Sequence, residues 1–415
     1  MRWFFLCGCF FVAVSAPVRA EKACSQDSLL QASANVQAVR EQLLAVKVSD
    51  QGMNTDVSST TVRLIHTMKD DLAITTDALM DCEDGPSADA ALIETNLANL
   101  LRANQPQPTA VALDAIPEEK DRVYGSDLKI AARKTAKHPE LIGVQISFGV
   151  NCGEDTMLLV YERRSERWSQ ALRWQSGDYR QASGAFGDFF EYAVISGSSP
   201  NKWAVATAHG KPWCTSVLSG FDLDVVQPAH GRIQQQLLFH EEHGYVRDRG
   251  PEWKAFPDGF ELRVEEESLD FAVFWRPGIY RYRMEGGKMH RLQPIAKNGR
   301  DFVDEWLEAD WSEAAHWSAA ANLGILSEEH ARIATLRDPK STNWPSFTYG
   351  AVRGCADDSR HFQVELNQDP SVPTYFEIQK GENRFTMLSA RSKSDPQCTG
   401  ADITPKRWRA NENIG

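Results

Sequence analysis

Four short stretches of this chain carry side chains whose types and spacing can do chemistry. His240-Glu241-Glu242-His243 offers two imidazoles and two carboxylates, the donors that hold zinc. The stretch ends an apparent strand, where a spacing of three sends the two imidazoles to opposite faces. They converge only if the chain turns, which Gly244 permits. The preferred reading is a solvated strand end with no metal and no cofactor. Asp222 and Asp224 share one strand face, with Phe221, Leu223 and Val225 on the other. Paired carboxylates suit acid/base work, but any half-exposed antiparallel strand has the same pattern. His209-Gly210-Lys211-Pro212-Trp213-Cys214-Thr215-Ser216 is a Gly/Pro-rich loop with the contents of a binding site. We take His209, Lys211 and Trp213 as its candidate binding residues; a disulfide-anchored turn is the competing reading. Trp306, Trp311 and Trp317 resemble a ligand platform, but spacings of five and six do not line one helical face. Packing against the strands is the expected fate.

Sought motifs are missing. The chain has no G-x-S-x-G elbow, no H-E-x-x-H, no phosphate loop and no dinucleotide fingerprint. A catalytic set must therefore be dispersed, as many triads and carboxylate pairs are. Its pool is Asp155, Asp222, Asp224, His209, His240 and His243.

Six cysteines follow the first twenty residues: Cys24, Cys82, Cys152, Cys214, Cys355 and Cys398. Cys24 precedes a first helix and Cys82 follows a second, so an antiparallel pair brings them together. Cys355 and Cys398 are the pair of the last segment, and Cys152–Cys214 follows by elimination. With no C-x-x-C pair and no tight Cys/His cluster, disulfides are expected rather than zinc.

The elements that must position these groups change character along the chain. Leu29, Ala32, Val36, Val39, Leu43 and Val46 advance by threes and fours, which draws an apolar helical stripe. Val62, Ile65, Met68, Leu72 and Leu79 mark a second helix, and Leu92, Ile93, Leu97, Leu100 and Leu101 a third. From Leu141 onward short strands and turns take over. Four hairpins stand out: Met157–Glu162 with Trp168–Trp174, Phe221–Gln227 with Arg232–Phe239, Ile279–Met284 with Lys288–Pro294, and Tyr375–Gln379 with Arg384–Ala390. The first three begin about 60 residues apart, as a degenerate repeat would, although any antiparallel meander yields similar hairpins. Residues 300–337 read as helical. Asp310-Trp311-Ser312-Glu313 looks like a capping box, and Ser327-Glu328-Glu329-His330 opens another helix. The expected fold class is α+β: an N-terminal helical bundle, then an antiparallel β-rich body, propeller-like or sandwich. A helical insertion and a small C-terminal β segment complete it. The expected divisions are a signal peptide 1–20, a helical domain 21–104, a linker 105–120, a β domain 121–298, a helical segment 299–340 and a β segment 341–415.

Arg2, the apolar run Trp3–Ala16 and Val18-Arg19-Ala20 read as an export signal cleaved before Glu21. The run is too short to span a bilayer. Leu6-Cys7-Gly8-Cys9 is a faint lipobox, so lipidation at Cys9 is the rival to simple cleavage. The formal charge of −12 argues against nucleic acid or anionic lipid as partners. The phrases Ser147-Phe148-Gly149-Val150-Asn151-Cys152-Gly153, Trp213-Cys214-Thr215-Ser216 and Asp301-Phe302-Val303-Asp304-Glu305-Trp306-Leu307 resemble an uncharacterised group of exported bacterial proteins. The resemblance spans about residues 124–335 and implies export but no activity. Three functions follow as expectations. The first is a periplasmic or secreted, non-catalytic binding or envelope-associated protein with an unknown protein or glycan ligand. The alternative is an extracellular hydrolase built from the dispersed pool. The third makes the acidic helical domain a protein-binding module, marked by an exposed apolar groove.

Overall fold

In this computed structural model, the described residues are 24–46, 57–83, 89–103, 123–135, 137–150, 153–164, 167–176, 189–199, 202–211, 218–229, 235–246, 250–270, 273, 275–336, 346–369 and 372–404. The export segment, the linker 105–120, Cys152, Trp213 and Cys214 lie outside them.

Three helices come first: α1 (Gln26–Leu44), α2 (Ser59–Met80) and α3 (Ala90–Ala103). Ser25 and Ser58 cap the first two, each accepting from a backbone N–H three residues on. Most of the expected stripe positions are buried, with Val36, Leu43, Ile65, Met68 and Leu72 fully enclosed, but Leu92, expected on the apolar side of α3, is 49% exposed because Ile93, Leu97 and Leu101 take the inward side. The Cys24–Cys82 disulfide ties the start of α1 to the end of α2.

Among the described residues, sixteen strands follow in four antiparallel sheets, each a four-stranded meander in chain order. Sheet 1 holds β1 (Lys129–Thr135), β2 (His138–Val150), β3 (Gly153–Arg164) and β4 (Arg167–Gln175). Sheet 2 holds β5 (Phe190–Ser196), β6 (Trp203–Gly210), β7 (Leu218–Pro228) and β8 (Gln235–Val246). Sheet 3 holds β9 (Glu252–Phe256), β10 (Gly259–Glu267), β11 (Trp275–Glu285) and β12 (Lys288–Arg291). Helices α4 (Gly299–Glu308), α5 (Trp311–Ala314) and α6 (Leu323–Leu336) intervene. Sheet 4 then closes the order with β13 (Ser346–Gly354), β14 (His361–Asp369), β15 (Thr374–Lys380) and β16 (Phe385–Arg391). The four hairpins read from the sequence are the third and fourth strands of the four sheets. A four-stranded meander is the unit from which propeller blades are built.

The layers stack. Ile142, Val144, Ile146, Met157 and Leu159 of sheet 1 share one core with α1–α3. Leu158, Val160 and Leu172 turn the other way, onto Trp203, Val205 and Val226 of sheet 2. Alternation thus buries β3 on both faces, which is why its sequence runs Met-Leu-Leu-Val-Tyr without polar breaks. Ala204, Ala206 and Ala208 with Phe221, Leu223 and Val225 face Phe260, Leu262 and Tyr282 of sheet 3. Sheet 4 packs on α4–α6, whose core includes Trp306 and Trp317, with Trp311 half-buried against it. The Trp306 indole N–H donates to Ser318 Oγ (2.9 Å) and the Ala314 carbonyl (3.2 Å). The three tryptophans are therefore packing residues. Cys355 and Cys398 form a second disulfide.

Two local expectations change. Helix α6 begins at Leu323, four residues early, because a 3₁₀ turn at Ala320–Asn322 feeds straight into it. The capping box at Asp310 is not made, since neither side chain bonds a helical N–H. Glu313 turns instead toward Arg291. No described helix is long and apolar enough to cross a membrane.

Candidate functional site

The register of β6, β7 and β8 sets polar side chains in rows across one face of sheet 2. Thr207, Asp224 and His240 form one row; His209, Asp222 and Glu242 form the next. Gly220 and Gly244 lie opposite each other beyond them, where Lys211 N donates to the Gly220 carbonyl. A Cβ on Gly220 would sit 3.2 Å from the Lys211 stem, so this glycine leaves the lane through which the ammonium folds back. Lys211 Nζ reaches Asp222 Oδ1 at 2.9 Å and Glu242 Oε2 at 2.7 Å. His240 Nδ1 lies 2.8 Å from Asp224 Oδ1, and its Nε2 lies 3.3 Å from Glu242 Oε1. His209 Nε2 stands 3.6 Å from Asp222 and 3.7 Å from Asp224. Trp174 of β4 closes the back, its N–H donating to Asp224 Oδ2 at 3.3 Å.

Four of the six dispersed catalytic candidates thus meet in this grid, together with Lys211 of the proposed binding loop. Their charges answer one another. Burial works against charging Lys211 and His240, but the facing carboxylates outweigh it and raise both. Burial alone raises Asp224, and His209 with His240 outweighs it and holds that carboxyl low. Lys211 holds Glu242 low. Every resolved shift favours the charged form, so the carboxylates stay deprotonated while the imidazole and ammonium keep their protons.

The remaining two candidates lie elsewhere. His243 sits on the other face of β8, as the odd spacing requires, stacked on Phe221 and close to Tyr280. Asp155 is fully buried in sheet 1, 2.8 Å from the buried ammonium of Lys69 on α2. Ser176 donates to the same carboxylate.

Around the β8 edge from the grid lies a cleft of about 500 Å³ between sheets 2 and 3 and α4–α5. Glu241, Glu267, Glu308, Asp310 and Glu313 line it, Glu242 touches its rim at the β8 edge while its carboxylate turns to Lys211 and His240, and Arg291 is its one Lys or Arg among the described lining residues. Its floor is a buried ion network. Arg276 lies 2.9 Å from Glu266 and 2.7 Å from both Glu305 and Glu308. Arg291 reaches Glu305 at 2.6 Å and lies over the Tyr280 ring at 4.4 Å. Tyr280 donates its hydroxyl to Glu266, and Tyr282 donates to Glu241. Here the carboxyls separate. Burial pushes Glu266 up to about 8 against the pull of Arg276. Burial likewise raises Asp304 to about 7, and Glu313 to about 7. Burial also opposes Glu305, but Arg291 and Arg276 together bring it down to about 2.

No known protein family matches the chain, and no curated protein is detectably similar to it.

The network escaped sequence reading because buried charge looks like surface in a sequence. Two signals were present. Asp301, Asp304, Glu305 and Glu308 follow helical spacing along one side of α4. Glu265-Glu266-Glu267 sits inside a strand whose first two members are buried. The buried apolar residues of α1–α3 share a core with sheet 1, while Leu30, Ile74 and Leu92 are exposed on the helices. The hollow of about 470 Å³ beside α1 and α3 is lined by Arg40, Glu94, Arg102 and Lys129 as well as Leu128 and Ile130. It is not an apolar groove.

Proposed function

We propose that this is an exported protein, periplasmic or secreted, that binds a positively charged segment of a protein ligand in the cleft beside β8. The observation that carries the reading is the cleft itself. Its carboxylate walls stand on a floor of already paired guanidiniums, so the field is set before a ligand arrives. The two disulfides fit an oxidising compartment, and the export-like N-terminus supplies the address. The central resemblance to exported bacterial proteins agrees with that address. The test is fluorescence anisotropy with a labelled Lys/Arg-rich decapeptide and an acidic control. Binding of the basic peptide alone is expected, weakening from about 0.05 M to about 0.5 M salt and on Glu308→Gln. Equal binding of both peptides, or of neither, overturns the reading.

One observation favours a hydrolase as second reading. Glu313 keeps its proton near neutrality while Glu305 in the same cleft is ionised, the split that acid/base pairs use. Turnover of chromogenic glycosides or esters, abolished by Glu313→Gln, would establish it. No turnover across such a panel removes it.

A further inference from the structure

The grid on the opposite face of β8 carries its own ligand chemistry. We infer that Asp222, His240 and Glu242, with His209 and Asp224 beside them, form a binding site for one divalent transition-metal cation, with Lys211 as a competing cation at its rim.

Geometry comes first. Asp222, His240 and Glu242 each bring a ligand atom into a group spanning no more than 4.8 Å. His209 Nε2 stands 3.6 and 3.7 Å from Asp222 Oδ2 and Asp224 Oδ2. Those separations are too long for hydrogen bonds. They come close to the distance between two donors on one tetrahedral ion, about 3.4 Å for bonds of about 2.0–2.1 Å. Lys211 takes Asp222 Oδ1 and Glu242 Oε2, whereas Asp222 Oδ2 and Glu242 Oε1 are turned to the imidazoles.

Charge points the same way. Three carboxylates face one ammonium, which leaves an excess of two negative charges once a bound metal has displaced any imidazole proton. One divalent cation balances that excess. The strand behind adds a second observation. Thr207 Oγ1 is fully buried and has no hydrogen-bond partner. It rises from the face that carries His209, directly opposite Asp224. A hydroxyl there is placed to orient a ligating carboxylate, the role of second-shell donors at metal sites. Two imidazoles among carboxylates select zinc or manganese over calcium and magnesium, which take oxygen ligands.

Two rival clusters lack this logic. Glu266, Glu305 and Glu308 already share the buried guanidinium of Arg276. Cys355 and Cys398, beside His361, are joined in a disulfide and offer no thiolates.

The test is calorimetric titration of the chelator-treated, full exported chain with zinc and with manganese. One equivalent of at least one metal is expected at micromolar affinity or tighter. His240→Ala should weaken it at least tenfold. Glu242→Gln should do the same, and its exposed side chain makes loss of folding an unsuitable explanation. Lys211→Met should tighten binding about threefold or more, because it removes a competing cation; a merely structural lysine would not have that effect. No saturable binding overturns the site. So does binding unchanged by Glu242→Gln, weakened by Lys211→Met, or lost on Glu308→Gln.

Discussion

Strand β8 separates two charge clusters built from the same ingredients and opposite in behaviour. On one face, Asp222, Asp224 and Glu242 meet Lys211 and two histidines, with side chains from 10% to 62% exposed. Water shares the cost of each charge, and the resolved shifts there favour the charged forms. Across the edge, Glu266, Asp304 and Glu305 meet Arg276 and Arg291 at 5% exposure or less. There desolvation competes with Coulomb attraction residue by residue. Glu305, gripped by two guanidiniums, stays ionised; Glu266 and Asp304 hold protons. The difference teaches that burial weighed against the cations in contact, not residue type, decides whether a carboxylate is a fixed charge or a titrating one.

The contrast is most easily broken by removing one cation from each side. Arg276→Met strands Glu266, Asp304, Glu305 and Glu308 around an apolar stem. Breaking a buried pair this way costs about 3–5 kcal/mol, read as a lower urea midpoint with unchanged slope. Lys69→Met, beside fully buried Asp155, belongs to the same class and should lose a comparable amount. Equality of either loss with a surface substitution would erase the distinction.

A pH series sharpens it next. Glu266, Asp304 and Glu313 hold protons in the folded protein that the unfolded chain has already released. Their contribution is complete below the ordinary carboxyl range and is lost as pH rises through about 7 to about 8. Glu305 acts in reverse, losing its contribution as pH falls toward about 2. The melting temperature should therefore fall between about pH 5 and about pH 8.5, by a few degrees. Glu313→Gln should flatten part of that slope, since an amide does not titrate. A melting temperature that rises over this window would contradict the assignment.

The smallest effect belongs to the open face. Lys211→Met removes a partly exposed ion pair and should change stability by no more than about 1 kcal/mol, measured by the same urea unfolding.

Much of this architecture was legible in the residues. Period-three-and-four stripes marked α1–α3, and the turn-flanked hairpins marked the closing half of every sheet. Period two also placed Asp222 with Asp224, and His240 opposite His243. The opening strands were harder. In β6, Trp203–Gly210 is rich in alanine because it is squeezed between two sheets, and alanine carries little strand signal. In β10, Glu261, Glu265 and Glu266 are buried where an alternating pattern calls for apolar residues. The grid was legible only as fragments. Thr207, His209, Asp222, Asp224, His240 and Glu242 become one surface through the ladder register of three strands, which local patterns do not encode.

The most direct measurement is a carboxyl ¹³C NMR titration of Glu313 and Glu242, assigned with Glu313→Gln and Glu242→Gln. Glu313 should titrate near 7, held up chiefly by burial. Glu242, across the strand edge, should titrate below the usual carboxylate range, held down by Lys211. Two ordinary glutamate titrations at one pH would contradict the division that β8 imposes.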